Sequence, residues 1–239
     1  ADVRLLLEEA LGNLPGVEVV VFEPTARYAP APKRRGVEEL TPARALVAEM
    51  IRRYSVLGLG CTLLEVQKLA WFLHRAFEAL GTHDPLRVRF SANSYGPYSD
   101  QLRHLLDALD GSYLHCERRL SEAGPLDYIS FADERRQTVT AYLEGQAREY
   151  LPGLDAATRY IDGFESPLGM ELLATVDWLV AHQGWDADEA VIRRALDEWP
   201  GGHSAGQRKQ RLFDDRMLGL ALERVREGIH LLQPQMRLC

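Results

Sequence analysis

The amino-acid sequence predicts a mostly helical domain with a small antiparallel β-sheet, and three observations support this fold class. Apolar side chains recur at helical spacing over most of residues 41–239. Segments with strand-like alternation are few and short. The chain of 239 residues is 46% hydrophobic and 26% charged, which is the composition of an ordinary globular protein. We therefore expect a compact helical domain with a core large enough to fold without disulfides or metals.

Residues 1–40 do not follow this pattern. Residues 3–11 have the spacing of an amphipathic helix, and residues 17–22 form a nearly continuous apolar run that is typical of a buried parallel strand. One helix and one strand cannot complete a sheet, so residues 1–24 are interpreted as the C-terminal remnant of an α/β domain. Residues 25–40 contain prolines and a basic triplet and are interpreted as a linker. The helical domain is then expected over residues 41–239.

The helical domain opens with two helices that have clear N-terminal signals. Thr41 is placed to cap a helix that begins at Pro42, and Thr62 and Glu65 have the spacing of a capping box. The second helix is apolar around most of its circumference as far as Leu80. We therefore expect it to be the central buried helix.

The strand candidates are short. Residues 86–90 alternate between apolar and polar side chains and are predicted as a half-buried strand, followed by a loop over 91–98 and a helix capped by Ser99. Residues 113–116 and 128–131 are weaker candidates that would pair with each other or with 86–90. Further helices are expected over roughly residues 133–150, 155–162, 167–183, 187–199 and 214–231, with Ser166 and Asp186 as N-caps.

One motif has the form of a catalytic sequence, and we interpret it as coincidental. Residues 202–206 match the G-x-S-x-G pattern around a nucleophilic serine, but Ser204 follows a predicted helix, whereas that motif needs a strand-to-helix turn. The seven histidines are not paired at metal-binding spacing, and no glycine-rich phosphate loop is present. We therefore predict no catalytic residue, no metal and no cofactor, and the chain is predicted not to be an enzyme.

The cysteine pattern and the hydropathy bear on location. The three cysteines are odd in number and widely spaced, which favours reduced thiols and a cytoplasmic location. No apolar run approaches the roughly 18 residues that a membrane span requires. Residues 1–4 lack the basic region of a signal peptide. No membrane partner is expected.

The negative charge is concentrated in one stretch. The whole chain has a net charge of −7, whereas residues 137–192 alone contain ten acidic side chains and two arginines, a net charge of −8. On one interpretation, these are simply well-solvated helices. On the other, an acidic face repels nucleic acid and suits a basic groove on a protein partner.

Two segments are candidates for partner binding. Tyr95 and Tyr98 flank Gly-Pro, so a rigid turn presents two aromatic rings, although either ring could instead pack on the central helix. Gly169 stands in the first turn of a helix, where glycine costs about 1 kcal/mol relative to alanine, which indicates close approach by a neighbouring helix or a partner. The candidate partner-binding residues are Tyr95, Tyr98, Phe164, Glu165, Gly169 and Glu171.

Five stretches of the helical domain resemble the C-terminal region of DarG-type antitoxins, from the DarT–DarG family of toxin–antitoxin systems. The run from Gly163 to Val176 has the most specific pattern. The combination of Gln-Lys-Leu at 67–69 with Tyr-Gly-Pro-Tyr at 95–98 also resembles Panacea-type antitoxin domains. The five stretches are residues 41–45 (Thr-Pro-Ala-Arg-Ala), 62–73, 95–106, 161–178 and 208–213 (Arg-Lys-Gln-Arg-Leu-Phe).

The resemblance implies a function. In DarG proteins an N-terminal macrodomain removes ADP-ribose that DarT has attached to bases of single-stranded DNA, and the C-terminal domain binds DarT and blocks it. Residues 3–24 resemble the last helix and strand of that macrodomain, so its hydrolytic pocket is not expected in this chain. With the acidic stretch, the resemblance predicts a heterodimer in which the chain occupies the single-stranded-DNA groove of a DarT-like toxin as an acidic mimic.

Two alternatives remain open. One is a Panacea-type antitoxin against an unrelated toxin. The other is a helical nucleic-acid-binding module that uses the basic residues at 33–35 and 208–211, although the acidic stretch argues against direct binding of nucleic acid. If the acidic mimic is correct, reversing Glu165 and Glu171 to lysine should slow association with the toxin and leave the fold unchanged.

Overall fold

The computed structural model describes residues 39–55, 60–120 and 122–232, all of which belong to the compact unit Pro32–Cys239. The predicted macrodomain remnant, residues 1–24, lies outside the described residues, as does nearly all of the predicted linker, residues 25–40. The proposed domain boundaries therefore stay predictions.

The described residues form a mostly helical domain with two small antiparallel sheets, which confirms the predicted fold class. The elements, in chain order, are α1 (Pro42–Tyr54), β1 (Cys61–Thr62), α2 (Leu63–Ala79), β2 (Ser91–Asn93), β3 (Gly96–Tyr98), α3 (Gln101–Leu109), β4 (Leu114–Cys116), β5 (Tyr128–Phe131), α4 (Arg136–Glu144), α5 (Leu151–Ile161), α6 (Pro167–Asp177), α7 (Glu189–Asp197), α8 (His203–Leu212) and α9 (Asp215–Leu232). Helix α6 continues as a π-helical turn over Trp178–His182. Within the described ranges, no helix is both long and apolar enough to cross a membrane.

Helix α2 is the central helix, as predicted. Twelve of its 17 residues are buried, and it packs against α1, α5, α6 and α9 and against strands β1 and β3. The predicted capping box is present: the Glu65 backbone N–H donates to Thr62 Oγ1, and the Thr62 backbone N–H donates to Glu65 Oε2 at 2.7 Å. This cap fixes where the first turn of α2 begins, and that turn borders the groove described below.

A buried carboxylate joins α2 to α5 and α6. Asp177 is 1% exposed, and its Oδ2 accepts hydrogen bonds from Trp71 Nε1 at 2.8 Å and from Arg75 Nε at 3.2 Å. Its Oδ1 accepts a hydrogen bond from the Tyr160 hydroxyl at 2.8 Å. A buried carboxylate is tolerated only when its oxygens are satisfied in this way, so Asp177 is a structural residue.

The larger sheet has the strand order β1–β5–β4 and is antiparallel throughout. Its register places Ile129 between Cys61 on one side and Cys116 on the other. The predicted pairing of residues 113–116 with 128–131 is confirmed. The same sheet holds the start of α2 close to the loop that precedes β5, because the Leu63 and Leu64 N–H groups donate to carbonyls of residues 127 and 125.

The strand predicted over residues 86–90 is wrong. Arg87 has φ +50°, a left-handed conformation that interrupts an extended strand. The alternation did indicate which side chains are buried, since Leu86 and Val88 are buried. The paired strands, however, are the next residues along the chain, in the β2–β3 hairpin. Gly96, at φ +104°, makes the tight turn of this hairpin possible.

Several helix boundaries also differ from the prediction. Residues 133–150 do not form one helix, because α4 ends at Glu144 and short 3₁₀ turns lie before and after it. Asp188, and not Asp186, caps α7 by accepting a hydrogen bond from the Val191 N–H. Ser99 does not cap α3, and α8 was not predicted. The predicted Ser166 cap is confirmed by its bond from the Gly169 N–H.

Candidate functional site

A groove of about 490 Å³ lies where α2, the β2–β3 hairpin, the loop before β5, α6 and α8 meet. We call it the Lys68 groove. It is lined by Thr62, Leu64, Glu65, Lys68, Tyr95, Leu126, Tyr128, Pro167, Leu168, Met170, Glu171, Arg208 and Leu212. Its volume is in the range of sites that hold a small molecule or the side chains of a partner protein.

The rim of the Lys68 groove is apolar and exposed. The described part of the chain has six exposed large hydrophobic side chains, and five of them line this groove. Leu126 and Tyr128 are 71% and 66% exposed, and the others at the rim are Tyr95, Leu168 and Leu212. Single exposed apolar residues are ordinary, but their concentration at one concave place is typical of a binding surface.

The floor of the groove holds a buried lysine. Lys68 is 2% exposed, and its Nζ donates a hydrogen bond to the Pro97 carbonyl at 3.0 Å. Burial and, to a smaller extent, the charge of neighbouring Lys209 lower the pKa of Lys68 to about 7, and Glu171 opposes this shift. The amine therefore exchanges its proton at a pH far below that of an ordinary lysine.

Glu171 lies beside this lysine in an internal ion-pair cluster. Its Oε1 accepts hydrogen bonds from Lys209 Nζ at 2.8 Å and from Arg208 Nη1 at 2.5 Å, and the Lys209 side chain is fully buried. Burial alone would raise the pKa of Glu171, but the charges and hydrogen bonds of Lys209 and Arg208 outweigh it and lower the pKa. Glu171 is therefore an ionised internal carboxylate and not a free surface charge.

Glu65, the other carboxylate of the groove lining, is also engaged. Its Oε2 accepts from the backbone N–H and the hydroxyl of Thr62, and its Oε1 accepts from the buried hydroxyl of Tyr54. Both oxygens thus serve the capping box and the packing of α1 against α2. Neither forms an ion pair with Lys68.

The hairpin that carries Tyr95 is fixed to α2 by two adjacent polar side chains. The Gln67 amide donates to the Ser99 carbonyl at 3.0 Å and accepts from the Ser99 N–H at 2.9 Å, and Lys68 binds the Pro97 carbonyl. The Gln-Lys and Tyr-Gly-Pro-Tyr motifs, 28 residues apart from Gln67 to Tyr95, are thus joined by hydrogen bonds. The Arg208 guanidinium lies 4.8 Å from the centre of the Tyr95 ring and closes the groove on that side.

The predicted partner-binding residues do not form one cluster. Tyr95 and Glu171 line the Lys68 groove, whereas the other four do not. The Tyr98 hydroxyl accepts a hydrogen bond from Arg103 Nε, and the Phe164 ring lies under the Arg224 guanidinium at 5.4 Å.

The remaining two residues serve the turn before α6. Glu165 is exposed, and its Oε2 accepts a hydrogen bond from the Gly163 N–H. A Cβ at position 169 would lie 2.7 Å from the Phe164 carbonyl oxygen and 2.9 Å from Ser166 Oγ. The inference that a neighbouring helix or partner requires Gly169 is therefore corrected: the N-cap turn of its own helix requires it.

Sequence reasoning missed the residues that give the groove its character. Lys68 lies within an apolar helix, and Leu126, Tyr128, Leu168 and Leu212 have no pattern that separates an exposed apolar residue from a buried one. The Gln-Lys motif was the one available signal, because a lysine on a buried helix needs a partner or a function.

The acidic stretch is partly internal. Of its ten acidic residues, Glu171 and Asp177 are buried with cationic or hydroxyl partners, and Asp155 is paired with Arg53 at 2.7 Å. The others are exposed or half-buried at the surface. The surface charge of this region is therefore smaller than the net −8 of its sequence.

The structure also tests the two kinds of chemical site considered from the sequence, a nucleophilic serine and a metal site. Ser204 is exposed in the first turn of α8, which follows a turn and the helix α7, so the strand-to-helix context of a nucleophile elbow is absent from this part of the chain. Among the described residues, no cluster of three or more histidine, cysteine, aspartate or glutamate side chains could hold a metal ion.

The chain is similar to curated proteins named DNA ADP-ribosyl glycohydrolase. One, from Thermus aquaticus, is 34% identical over 207 residues, which is 83% of this chain and 52% of that protein. Others, from Mycobacterium bovis and Mycobacterium tuberculosis, are each 31% identical over 242 residues, covering 94% of this chain and 63% of theirs. No protein-family model matches the chain. The chain thus spans between about half and two thirds of the length of these relatives.

These relatives correct one prediction. The chain was predicted not to be an enzyme, but the proteins to which it is homologous over 83% and 94% of its length carry the name of an enzyme. Homology to DNA ADP-ribosyl glycohydrolases agrees with the DarG-type resemblance at this level.

Proposed function

We propose that the chain is part of a DNA ADP-ribosyl glycohydrolase and that its helical domain, residues 41–239, binds and neutralises a DarT-like DNA ADP-ribosyltransferase toxin. The main support for this proposal is that segments far apart in the sequence meet at one groove. Four of the five stretches that carry the DarG-type resemblance contribute side chains to the Lys68 groove. The cytoplasmic location inferred from the cysteine pattern belongs to this proposal.

The four stretches are far apart along the chain. Residues 62–73 contribute Lys68, residues 95–106 contribute Tyr95, residues 161–178 contribute Leu168 and Glu171, and residues 208–213 contribute Arg208 and Leu212. Their meeting at a surface groove supports binding of a partner there.

The chemistry of the groove also supports a protein partner. Tyrosine and arginine are enriched among the residues that carry most of the affinity in protein interfaces, and Tyr95, Tyr128 and Arg208 line this groove beside exposed leucines. The exposed acids of residues 137–192 can add long-range attraction to a basic toxin and hinder single-stranded DNA from entering its groove. In this proposal the groove holds the toxin, and the acidic surface acts as the mimic of DNA.

The test mixes the purified chain with the DarT-like toxin from the same operon, single-stranded DNA and NAD. The readout is nicotinamide release, because it reports toxin turnover even if ADP-ribose is later removed from the DNA. We expect a one-to-one complex and loss of turnover at equimolar chain. Full turnover under saturating chain, with no complex in sedimentation, would contradict the proposal.

A separate reaction keeps the two activities apart. Pre-modified oligonucleotide, freed of toxin, is incubated with the chain and assayed for released ADP-ribose. This reaction reports the glycohydrolase part of the proposal alone, whatever the result with the toxin.

A further inference from the structure

The floor of the Lys68 groove has an excess of positive charge. Three cations, Lys68, Lys209 and Arg208, lie together, whereas the lining has two carboxylates: Glu171 is shared by Lys209 and Arg208, and Glu65 accepts hydrogen bonds from Thr62 and Tyr54. Within the described ranges, Lys68 forms no ion pair, and its one hydrogen bond goes to the Pro97 carbonyl. A buried ammonium without a counter-charge costs several kcal/mol, so Lys68 favours a ligand that brings a negative charge into the groove.

A second polar group beside Lys68 is also unsatisfied. Thr175 is fully buried, and its Oγ1 has no hydrogen-bond partner among the described residues. Thr175 and Lys68 both lie close to Gly96: a Cβ at position 96 would lie 3.4 Å from Thr175 Oγ1 and 3.7 Å from Lys68 Nζ. An unsatisfied hydroxyl and the Lys68 ammonium thus both lie next to Gly96 of the hairpin.

We propose that the Lys68 groove receives an acidic side chain of the bound toxin, flanked by apolar residues, with its carboxylate on Lys68 Nζ. This inference rests on the proposed function and specifies the chemistry of the partner. The carboxylate supplies the missing counter-charge, and the flanking apolar residues pack against the rim, chiefly on Leu126, Tyr128 and Leu212. A nucleic-acid phosphate would meet the same ammonium, but the apolar rim gives it no favourable contact for its sugar and neighbouring phosphates.

The inference predicts proton uptake when the toxin binds. The charged groups that face Lys68 are Lys209 and Arg208 from α8, Glu171 from α6 and Glu65 from its own helix. In the free chain the pKa of Lys68 is about 7, and a bound carboxylate raises it. Affinity should therefore fall as pH rises above 7, by about tenfold between pH 6 and pH 8.

The experiment measures toxin affinity calorimetrically at pH 6 and pH 8 for the wild-type chain, Lys68→Met and Arg211→Met. Methionine keeps an unbranched side chain that is one heavy atom shorter than lysine and has no charge. Arg211→Met is the matched control, because Arg211 is an exposed cation on α8 that does not line the groove. We expect Lys68→Met to bind about tenfold more weakly at pH 6 and to lose the pH dependence, while the control keeps both.

The outcomes separate the inference from the proposed function. If wild type binds the toxin and Lys68→Met binds equally well with the same pH dependence, the inference is wrong and the antitoxin function stands. If wild type does not bind, the proposed function fails. A melting temperature for Lys68→Met guards against misfolding. A scan of toxin acids to amides should then reveal one whose effect is not additive with Lys68→Met, and absence of any such acid would also overturn the inference.

Discussion

The acidic stretch and the Lys68 groove are opposite kinds of surface. The acidic stretch is contiguous in sequence, and its charge is visible by counting, yet folding buries part of that charge against internal cations. The groove is assembled from segments between residues 62 and 212, and its cationic floor and apolar rim exist only after folding. The difference teaches that linear charge density is a poor guide to where a partner binds, because a carboxylate that pairs inside the protein offers nothing to a partner.

The largest expected effect separates two acids of the same stretch. Glu171→Lys would place a third cation against Lys209 and Arg208 in a buried cluster, so we expect a loss of about 3–5 kcal/mol in the free energy of unfolding. Glu165→Lys changes an exposed residue and should stay within about 0.5 kcal/mol of wild type. Urea denaturation of both variants measures this. Equal effects would mean that Glu171 is not internally paired.

The burial of Glu171 changes the expected effect of reversing both Glu165 and Glu171 to lysine. If both acids lay on the surface, the fold would be unaffected and only association would slow. With Glu171 buried, the double variant should unfold more easily, and its binding would then report stability as well as contact.

The second expected effect concerns the pH dependence of stability. Because burial lowers the pKa of Lys68 from 10.5 to about 7, the folded chain releases a proton above pH 7 that the unfolded chain keeps. Folding stability should therefore rise with pH between about 7 and 10, by up to about 1.4 kcal/mol per pH unit from this group. Lys68→Met removes that contribution. Denaturation of both proteins at several pH values measures the difference, and parallel pH profiles would contradict it.

The sequence predicted the local structure better than the site. The caps at Thr41, Thr62 and Ser166 and the pairing of residues 113–116 with 128–131 depend on neighbouring residues, which the sequence displays directly. The strand expected at 86–90 failed because alternation reports burial and not hydrogen-bonded pairing. The conformation of a single residue, Arg87, was enough to move the pairing onto the next segment.

The groove could not have been located from the sequence by the same means. Tyr95 was found because a rigid Gly-Pro turn predicts presentation of its ring, and Tyr95 does line the groove. Leu126 precedes strand β5 and Tyr128 begins it, and alternate residues of this strand are buried. Whether these two side chains are exposed therefore depends on which face of the sheet packs on the core. Such information is carried by contacts between distant segments and not by local pattern.

The smallest expected effect tests the acidic surface. Glu144→Gln and Glu149→Gln remove two exposed charges, and exposed pairs contribute about 0.2–1 kcal/mol each. We expect association with the toxin to slow by a few-fold at low salt and the difference to vanish at high salt, with an unchanged dissociation rate. Stopped-flow kinetics measure both rates. A much larger decrease in the association rate that persists at high salt would indicate that the acidic surface, and not the groove, supplies most of the binding energy.

The most direct measurement compares exposed apolar residues inside and outside the groove. Leu126→Ser with Tyr128→Ser removes two rim side chains that are 71% and 66% exposed, so the fold should tolerate the change. Leu220→Ser is the matched control, because Leu220 is 51% exposed on α9 and does not line the groove. We expect the double variant to lose at least about 30-fold in toxin affinity, corresponding to about 2 kcal/mol, and the control to bind as wild type does. Wild-type affinity in the double variant, at unchanged melting temperature, would contradict binding through the Lys68 groove.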